Sequence, residues 1–306
     1  MMQPNRRAFL QSAAILFASA IVSYSFDLKR KNPLLSFSTL GCPDWSLGKI
    51  TDFAVENAYQ GIELRGLNRQ MDLTQCPEFH TAQNRQSTVR LMEDKELHFV
   101  GLGSSATLHF AGKAERQKNL DEARKFIDLA QQIDCPYVRV FPNNFPKDQE
   151  REQTIDLITH GLLELAAHAR GSKVTVLMET HGDLVKADDI LVIMDAVSHK
   201  NAGLVWDVSN MWTITKEPPA KVYKKLKKYI RHTHIKDAKL SGGKLQYALL
   251  GEGEVPVFAA LEALANDHYQ GYYSFEWEKL WHPELAEPEV AFTHFPRVMR
   301  QFFNKF

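Results

Sequence analysis

The chain is short of cysteine, of net charge and of long apolar runs, and each shortage narrows what it can be. Its 306 residues include three cysteines, Cys42, Cys76 and Cys135. So few, and an odd number, exclude a disulfide scaffold, and their spacing leaves no Cys-x-x-Cys metal site. Lys+Arg and Asp+Glu are both 37, so the formal net charge is zero. A nucleic-acid binder carries a basic excess or a basic stripe, so no nucleic-acid partner is expected. No apolar run reaches the roughly 20 residues that span a bilayer as a helix. A glycine-rich phosphate turn is also missing: Gly101-Leu102-Gly103 lacks the rest of that pattern, which weighs against an open, doubly wound sheet. What remains is 44% hydrophobic and 24% charged, enough apolar material for a substantial core in a globular chain.

Residues 1–30 read as an export signal and short linker, leaving residues 31–306 as a single domain. The segment Asn5-Arg6-Arg7-Ala8-Phe9-Leu10 pairs two arginines ahead of an apolar run at 13–22, broken only by Ser19. The small triplet Ala18-Ser19-Ala20 completes a secretory pattern, and the Arg-Arg pair resembles the twin-arginine export signal. An uncleaved, membrane-anchoring N-terminus is the alternative. Export would place the mature protein in the periplasm or otherwise outside the cytoplasm, with no membrane span left in it.

No low-complexity linker interrupts residues 34–306; short apolar runs alternate with helical patterns instead. Strands are expected at 34–40, 61–64, 97–102, 137–141, 173–178, 202–206, 232–235 and 272–275. Helical spacing is found at 50–58, 88–95, 114–133, 154–170, 190–197 and 257–265. A further stripe, Val222, Leu226, Tyr229 and Ile230, sits opposite a lysine-rich face that reads as solvated. Eight almost uniformly apolar strands alternating with helices fit a (β/α)8 TIM barrel, a parallel sheet buried on both faces.

The last four strands end alike. Val176-Leu177-Met178 leads to Glu179, Leu204-Val205-Trp206 to Asp207, and Tyr273-Ser274-Phe275 to Glu276, while the seventh strand contains His232-Thr233-His234. In a barrel those ends converge on one face, where active sites lie. Three carboxylates that close repel one another unless a cation sits between them. One nitrogen among hard oxygens suits a single divalent ion, Mn²⁺, Mg²⁺, Co²⁺ or Zn²⁺.

These residues resemble the xylose isomerase-like barrel family, also called the sugar phosphate isomerase/epimerase family, over residues 34–303. The resemblance rests on Phe37-Ser38-Thr39-Leu40-Gly41, Gly61-Ile62-Glu63-Leu64, Met178-Glu179-Thr180-His181-Gly182, Trp206-Asp207, His234-Ile235-Lys236-Asp237, Gly251-Glu252-Gly253 and Phe275-Glu276. It implies that Glu179, Asp207, His234 and Glu276 bind one divalent metal. It also implies that Glu179 and Glu276 flank the substrate carbon and move its proton. The family often has His three residues after the aspartate; here Asn210 stands there. Asn can hydrogen-bond a hydroxyl but is a poor ligand and no proton shuttle, which weighs against a plain epimerase. It also weighs, with the neutral charge, against the related DNA-repair endonucleases.

Other residues carry two readings each. His181, two residues past Glu179, and His109, after the third strand, are candidate substrate-binding residues or ordinary polar neighbours. Lys236, two residues past His234 and on the same side of the strand, holds a substrate oxygen or an acidic neighbour. Trp45 stacks on a sugar face or is a rim aromatic. Glu63 and Arg139 would be costly inside a barrel unless paired, and a buried structural pair is expected of them. Gly251-Glu252-Gly253 reads as a tight loop after the seventh strand.

The implied chemistry is abstraction of a proton next to a carbonyl of a small carbohydrate, through a metal-stabilised enediolate. Reprotonation gives an isomerase or epimerase, the first choice because two glutamates flank the metal. Expulsion of a β-oxygen gives a lyase or hydratase acting on an oxidised sugar or glycoside, which export and Asn210 favour. A non-catalytic sugar-binding barrel is a third reading, opposed by the presence of all four ligands. Nothing in the sequence sets an oligomeric state.

Overall fold

Eight parallel strands close on themselves in the computed structural model, which describes residues 33–242 and 244–306. The strands are β1 (Leu34–Ser38), β2 (Gly61–Leu64), β3 (His98–Thr107), β4 (Tyr137–Phe141), β5 (Thr175–Glu179), β6 (Ala202–Asp207), β7 (Ile230–Ile235) and, after a two-stranded hairpin, β10 (Tyr272–Phe275). Around the barrel their order is β1-β10-β7-β6-β5-β4-β3-β2, and β2 pairs with β1 to close it. The hairpin, β8 (Asp237–Ser241) with β9 (Lys244–Ala248), is antiparallel and stands outside the barrel sheet. Residues 33–306 form one compact unit, and this is the TIM barrel the alternating pattern predicts. The expected export signal and linker lie outside the described residues.

The helices among the described residues are α1 (Leu47–Glu56), α2 (Pro77–His80), α3 (Ala82–Asp94), α4 (Lys113–Gln132), α5 (Arg151–His168), α6 (Ala187–Val197), α7 (Val208–Thr215), α8 (Pro219–Leu226), α9 (Val257–Asn266) and α10 (Pro288–Phe303). Their starts follow local chemistry. Ser46 Oγ accepts from the Lys49 N–H at 3.3 Å to cap α1, and Thr81 Oγ1 accepts from the Asn84 N–H at 3.1 Å to cap α3. No described helix is long and apolar enough to cross a membrane. Strands β5 and β6 are buried nearly throughout, as a sheet covered by helices outside and filled by side chains inside requires. Across β1, β10 and α10 the core is aromatic: Phe37, Phe275 and Phe292 pack within ring distances of 4.3 and 5.9 Å.

The differences from the sequence pattern have physical reasons. Helix α3 starts at Ala82, six residues before the expected 88, because only Thr88 and Met92 of its thirteen residues are buried, too few to mark its first turns. Strand β3 runs to Thr107, past the expected 102, through small residues that carry no apolar period. The stripe through Tyr229 and Ile230 is not one helix. Helix α8 ends at Leu226, and Ile230 opens β7, because the Tyr229 carbonyl accepts from the Leu204 N–H of β6 at 2.9 Å. The lysines beside it are paired as well as solvated: Lys227 with Asp267 and Lys228 with Asp195, each at 2.8 Å. Helix α7, the β8–β9 hairpin and α10 have no counterpart among the expected elements.

Candidate active site

The strand ends converge as their positions in the sequence require. Glu179 ends β5, Asp207 ends β6, His234 is the penultimate residue of β7, and Glu276 directly follows β10. One donor atom of each lies within 4.8 Å of all the others, and all four residues are buried. His234 Nδ1 stands 3.4 Å from Glu179 Oε1, 3.4 Å from Glu276 Oε1 and 4.0 Å from Asp207 Oδ2.

Each side chain is aimed by its own element. Asp207 is the N-cap of α7: its Oδ1 accepts the Asn210 N–H at 2.8 Å, which turns Oδ2 toward the cluster. Its backbone is fixed by Thr180 Oγ1, which accepts the Asp207 N–H at 2.9 Å. His234 Nε2 lies 2.9 and 3.1 Å from the two oxygens of Glu63. A carboxylate only accepts, so Nε2 carries a proton and Nδ1 is the ring atom left to face the acids. Glu63 also accepts from His232 Nε2 at 2.8 Å and from Ser274 Oγ at 2.9 Å.

A divalent cation fits this set. His234 Nδ1 is buried with no hydrogen bond, and Glu179 Oε2 and Asp207 Oδ2, buried likewise, have one ion-pair neighbour each, Arg139 Nε at 3.1 Å and Lys236 Nζ at 2.9 Å. Three carboxylates brought this close repel one another, and a shared cation offsets that repulsion. Glu63, His232 and His234 also have ligand-like spacing, but their facing atoms are already hydrogen-bonded to one another. They form the support of the upper cluster and not a second site.

Charge is unevenly distributed. Burial, with the neighbouring Glu276 and Glu179 carboxylates, pushes the Asp207 carboxyl up to about 7 against the opposing charges of Lys236 and His234. Burial also acts on Glu179, but His234 and Arg139 outweigh it and hold that carboxyl well below its usual range. His234, though buried, is raised well above the ordinary imidazole value by Glu276, Glu63 and Glu179.

The remaining sequence candidates divide into those brought to the cluster and those placed elsewhere. Lys236 Nζ lies 2.9 Å from Asp207 Oδ2, 2.6 Å from Glu276 Oε2 and 2.7 Å from Glu278 Oε1, so it pairs with acidic neighbours. Asn210 Nδ2 donates to Glu179 Oε1 at 3.4 Å and to the Thr180 carbonyl at 3.3 Å. His181 Nδ1 lies 3.0 Å from Asn143 Oδ1, with its ring 4.5 Å from that of Phe141. His109 is buried against Phe110, ring to ring at 4.1 Å. Trp45 is 6% exposed and packs on Phe53 and Phe292 in the core. It is therefore a core aromatic and not the rim aromatic that the sequence reading offered as an alternative. Glu63 and Arg139 do not pair with each other as expected. Glu63 holds the two histidines, while Arg139 Nε stands 3.1 Å from Glu179 Oε2. Glu278 and Arg65 were not anticipated; each lies two residues past a residue already singled out, just beyond the end of its strand. The glycine loop follows the hairpin, not β7. Gly251, at φ +87°, and Gly253 donate their N–H groups to Asp237 Oδ2 at 2.9 and 3.0 Å.

The xylose isomerase-like TIM barrel family matches residues 51–294. The 3-dehydroshikimate dehydratase of Bacillus anthracis is 25% identical over 255 residues, covering 76% of this chain and 85% of that protein. The IOLI protein with a bound zinc atom superposes at a TM-score of 0.76 with 17% identity, over 89% of this chain and 98% of that one. The 3-keto-D-glucoside 4-epimerase YcjR of E. coli superposes at 0.71 with 14% identity, over 88% and 100%. At these identities the structural likenesses establish the barrel and nothing finer.

Proposed function

The chain belongs to the xylose isomerase-like TIM barrel family, and from that premise we propose that it is a divalent-metal-dependent isomerase or epimerase of a small carbohydrate. The observation that carries this reading is the pair Glu179 and Glu276. They reach one cluster from β5 and the end of β10, three places apart around the barrel, with Asp207 and His234 between them. Glu179, Asp207, His234 and Glu276 would hold the cation, whose chemistry in such a donor set is to polarise a carbonyl and acidify the C–H beside it.

The chain's own residues do the rest. Glu179, kept ionised by His234 and Arg139, is able to accept a proton from carbon. Glu276 stands across the cluster and is able to return one from another direction. Lys236, 2.6 Å from Glu276 Oε2, keeps that carboxylate oriented and offers positive charge to a substrate oxygen as it becomes anionic. Asn210 and His181 are placed to bind hydroxyl groups near Glu179.

A second reading is a lyase or hydratase that expels a β-oxygen after the same first proton transfer. The Bacillus anthracis dehydratase, together with Asn210, favours it. Proton exchange separates the two. Metal-loaded protein is incubated in D₂O with free sugars and 3-keto-glycosides and followed by NMR. Deuterium uptake with new stereochemistry or a moved carbonyl supports isomerase or epimerase. An unsaturated product supports the lyase. Absence of exchange with every compound would sink both and leave a sugar-binding barrel.

We also propose that the protein is exported by a twin-arginine route. Replacing Arg6 and Arg7 by Lys is expected to leave the protein in the cytoplasm in cell fractionation; unchanged export would point to another route.

A further inference from the structure

Lys236 is held from two sides, and only one of them belongs to the metal cluster. The residue directly follows β7 and is buried. Its Nζ has three N–H donors and meets three carboxylates: Asp207 Oδ2 at 2.9 Å, Glu276 Oε2 at 2.6 Å and Glu278 Oε1 at 2.7 Å. Asp207 and Glu276 are acids that would hold a divalent cation. Glu278 lies outside that set of ligands, so Lys236 can keep it whatever the other two bind.

Glu278 is fixed in its turn by the hairpin. Tyr247, in β9, donates its hydroxyl to Glu278 Oε1 at 3.0 Å, the same oxygen that receives Lys236. The Tyr247 ring centre lies 5.6 Å from Lys236 Nζ and 5.2 Å from the ring of His282. His282 belongs to the turn that Glu278 opens, where the Glu278 carbonyl accepts the Trp281 and His282 N–H groups at 3.0 and 2.9 Å. The hairpin itself is tied down at Asp237, the residue after Lys236, which accepts four backbone N–H groups. An ammonium and a divalent cation drawn to the same two carboxylates repel each other. A neighbouring carboxylate that is not a ligand lowers that cost, because it gives the ammonium a partner of its own.

We infer that Glu278, aimed by Tyr247, is a positioning residue: it draws the Lys236 ammonium off Asp207 and Glu276, so that Lys236 and a divalent cation share the cluster instead of competing for it. The inference rests on the reading of Glu179, Asp207, His234 and Glu276 as a metal site. It gives the hairpin, which barrel closure does not require, a part in the chemistry. Through Tyr247 and Glu278 the hairpin sets how much negative charge the ligands keep for the metal. Two accounts compete with it: Glu278 is itself a ligand, or it acts on the cation only as a distant negative charge.

The test reads metal binding without turnover. Full-length protein stripped of metal is titrated with Co²⁺ against a chromogenic chelator, and the visible spectrum of the Co²⁺ protein is recorded at saturation. Glu278→Gln should weaken Co²⁺ binding about ten-fold and leave the saturated spectrum unchanged. Lys236→Met should bind Co²⁺ at least as tightly as wild type, and in that background Glu278→Gln should cost no more than about two-fold. Tyr247→Phe, which changes no charge, should weaken binding about three-fold and add nothing to the loss in Glu278→Gln. A changed spectrum in Glu278→Gln makes Glu278 a ligand and overturns the inference. An equal loss with and without Lys236, the mark of a distant charge, overturns it too, as does weaker binding by Lys236→Met. Should Lys236→Met fail to fold, Tyr247→Phe decides, and an unchanged affinity in that variant overturns the inference. A protein that binds Co²⁺ in this pattern but exchanges no substrate proton breaks the functional reading and spares this one. One that exchanges protons while its metal affinity ignores Glu278 does the reverse.

Discussion

Glu63 and Glu179 are both buried carboxylates inside one barrel, and they lie against opposite nitrogens of the same imidazole. Glu63 faces His234 Nε2, and its two oxygens accept from His232, His234 and Ser274. Glu179 faces His234 Nδ1, and its Oε2 accepts no hydrogen bond and has Arg139 Nε 3.1 Å away as its ion-pair neighbour, while Oε1 takes only the long 3.4 Å bond from Asn210. With three donors held on its two oxygens, Glu63 is fixed in place and serves to orient a ring. A half-satisfied carboxylate keeps a directed lone pair at the cost of desolvation, so Glu179 is poised to take a ligand or a proton. The same residue type acquires opposite roles from the number of donors its neighbours supply.

The comparison breaks most visibly at the open acids. Glu276→Gln removes a charge and a proton acceptor together, whereas Asp207→Asn removes a charge from a residue asked only to bind. Activity of Glu276→Gln should stay about 10²–10⁴-fold down at saturating metal. Asp207→Asn should recover part of its activity as metal is raised. Equal recovery in steady-state rates would make Glu276 a ligand alone, and the base would then be sought among Glu179, His181 and Lys236.

The closed carboxylate should reveal itself through affinity. Glu63→Gln leaves every ligand in place but removes the charge and one of the two accepting oxygens that hold His234 Nε2, and with it the ring, so that Nδ1 faces the acids. Metal affinity, measured by competition with a chromogenic chelator, should fall about 10–100-fold. An unchanged affinity would show that packing alone orients His234.

A smaller effect, on stability, follows from charge. In metal-free protein Asp207 holds its proton up to about 7, against an ordinary 3.8. A carboxyl raised on folding favours the folded state while protonated there, and that contribution is lost as pH rises from about 4 through 7. His234 is raised above 6.5, so its contribution is present below that pH and is lost as pH rises through its folded value. Glu179 is lowered from 4.5, so its contribution is lost only as pH falls below that value. His109 and His181, lowered from 6.5 by burial, act the other way below that pH, so the metal-free melting temperature should drop most clearly from about pH 6.5 to pH 8, by a few degrees, and saturating metal should flatten the profile. A metal-free profile that rises over this range would mean that the cluster does not titrate as described.

The open acids were legible in the sequence because each ends an apolar run, and a strand buried on both faces leaves few other reasons for a charge there. Glu63 was legible as a buried charge in need of a partner, but not which partner. Its histidines stand 169 and 171 residues away, a distance that only barrel closure bridges. Arg65 and Glu278 were missed because each lies just beyond the end of its strand and follows no apolar run of its own. Helix α7 was missed because its start is encoded by Asp207, read for metal binding alone; one oxygen of that residue caps the helix while the other faces the cluster. Residue type and position announced the chemistry, and hydrogen-bond supply, which depends on distant strands, decided its division.

The smallest effect concerns a third carboxylate that extends the contrast outside the barrel. Asp237 is buried like Asp207, and burial raises both. Asp237, however, accepts four backbone N–H groups: Ala238 at 2.8 Å and Val255 at 3.2 Å on Oδ1, Gly251 at 2.9 Å and Gly253 at 3.0 Å on Oδ2. It thereby ties the start of the hairpin to the loop that follows it. Asp237→Asn keeps one accepting oxygen and turns an amide donor toward the other pair of N–H groups. Hydrogen bonds to a charged acceptor contribute about 1.5–3 kcal/mol each, and the isosteric amide retains part of that, so a loss of about 1–2 kcal/mol is expected in denaturant melts. Metal affinity should be unchanged, because no lone pair of Asp237 is offered to the cluster. If Asp237→Asn weakened metal binding as much as Asp207→Asn does, donor supply would not be what separates a structural carboxylate from a ligand in this barrel.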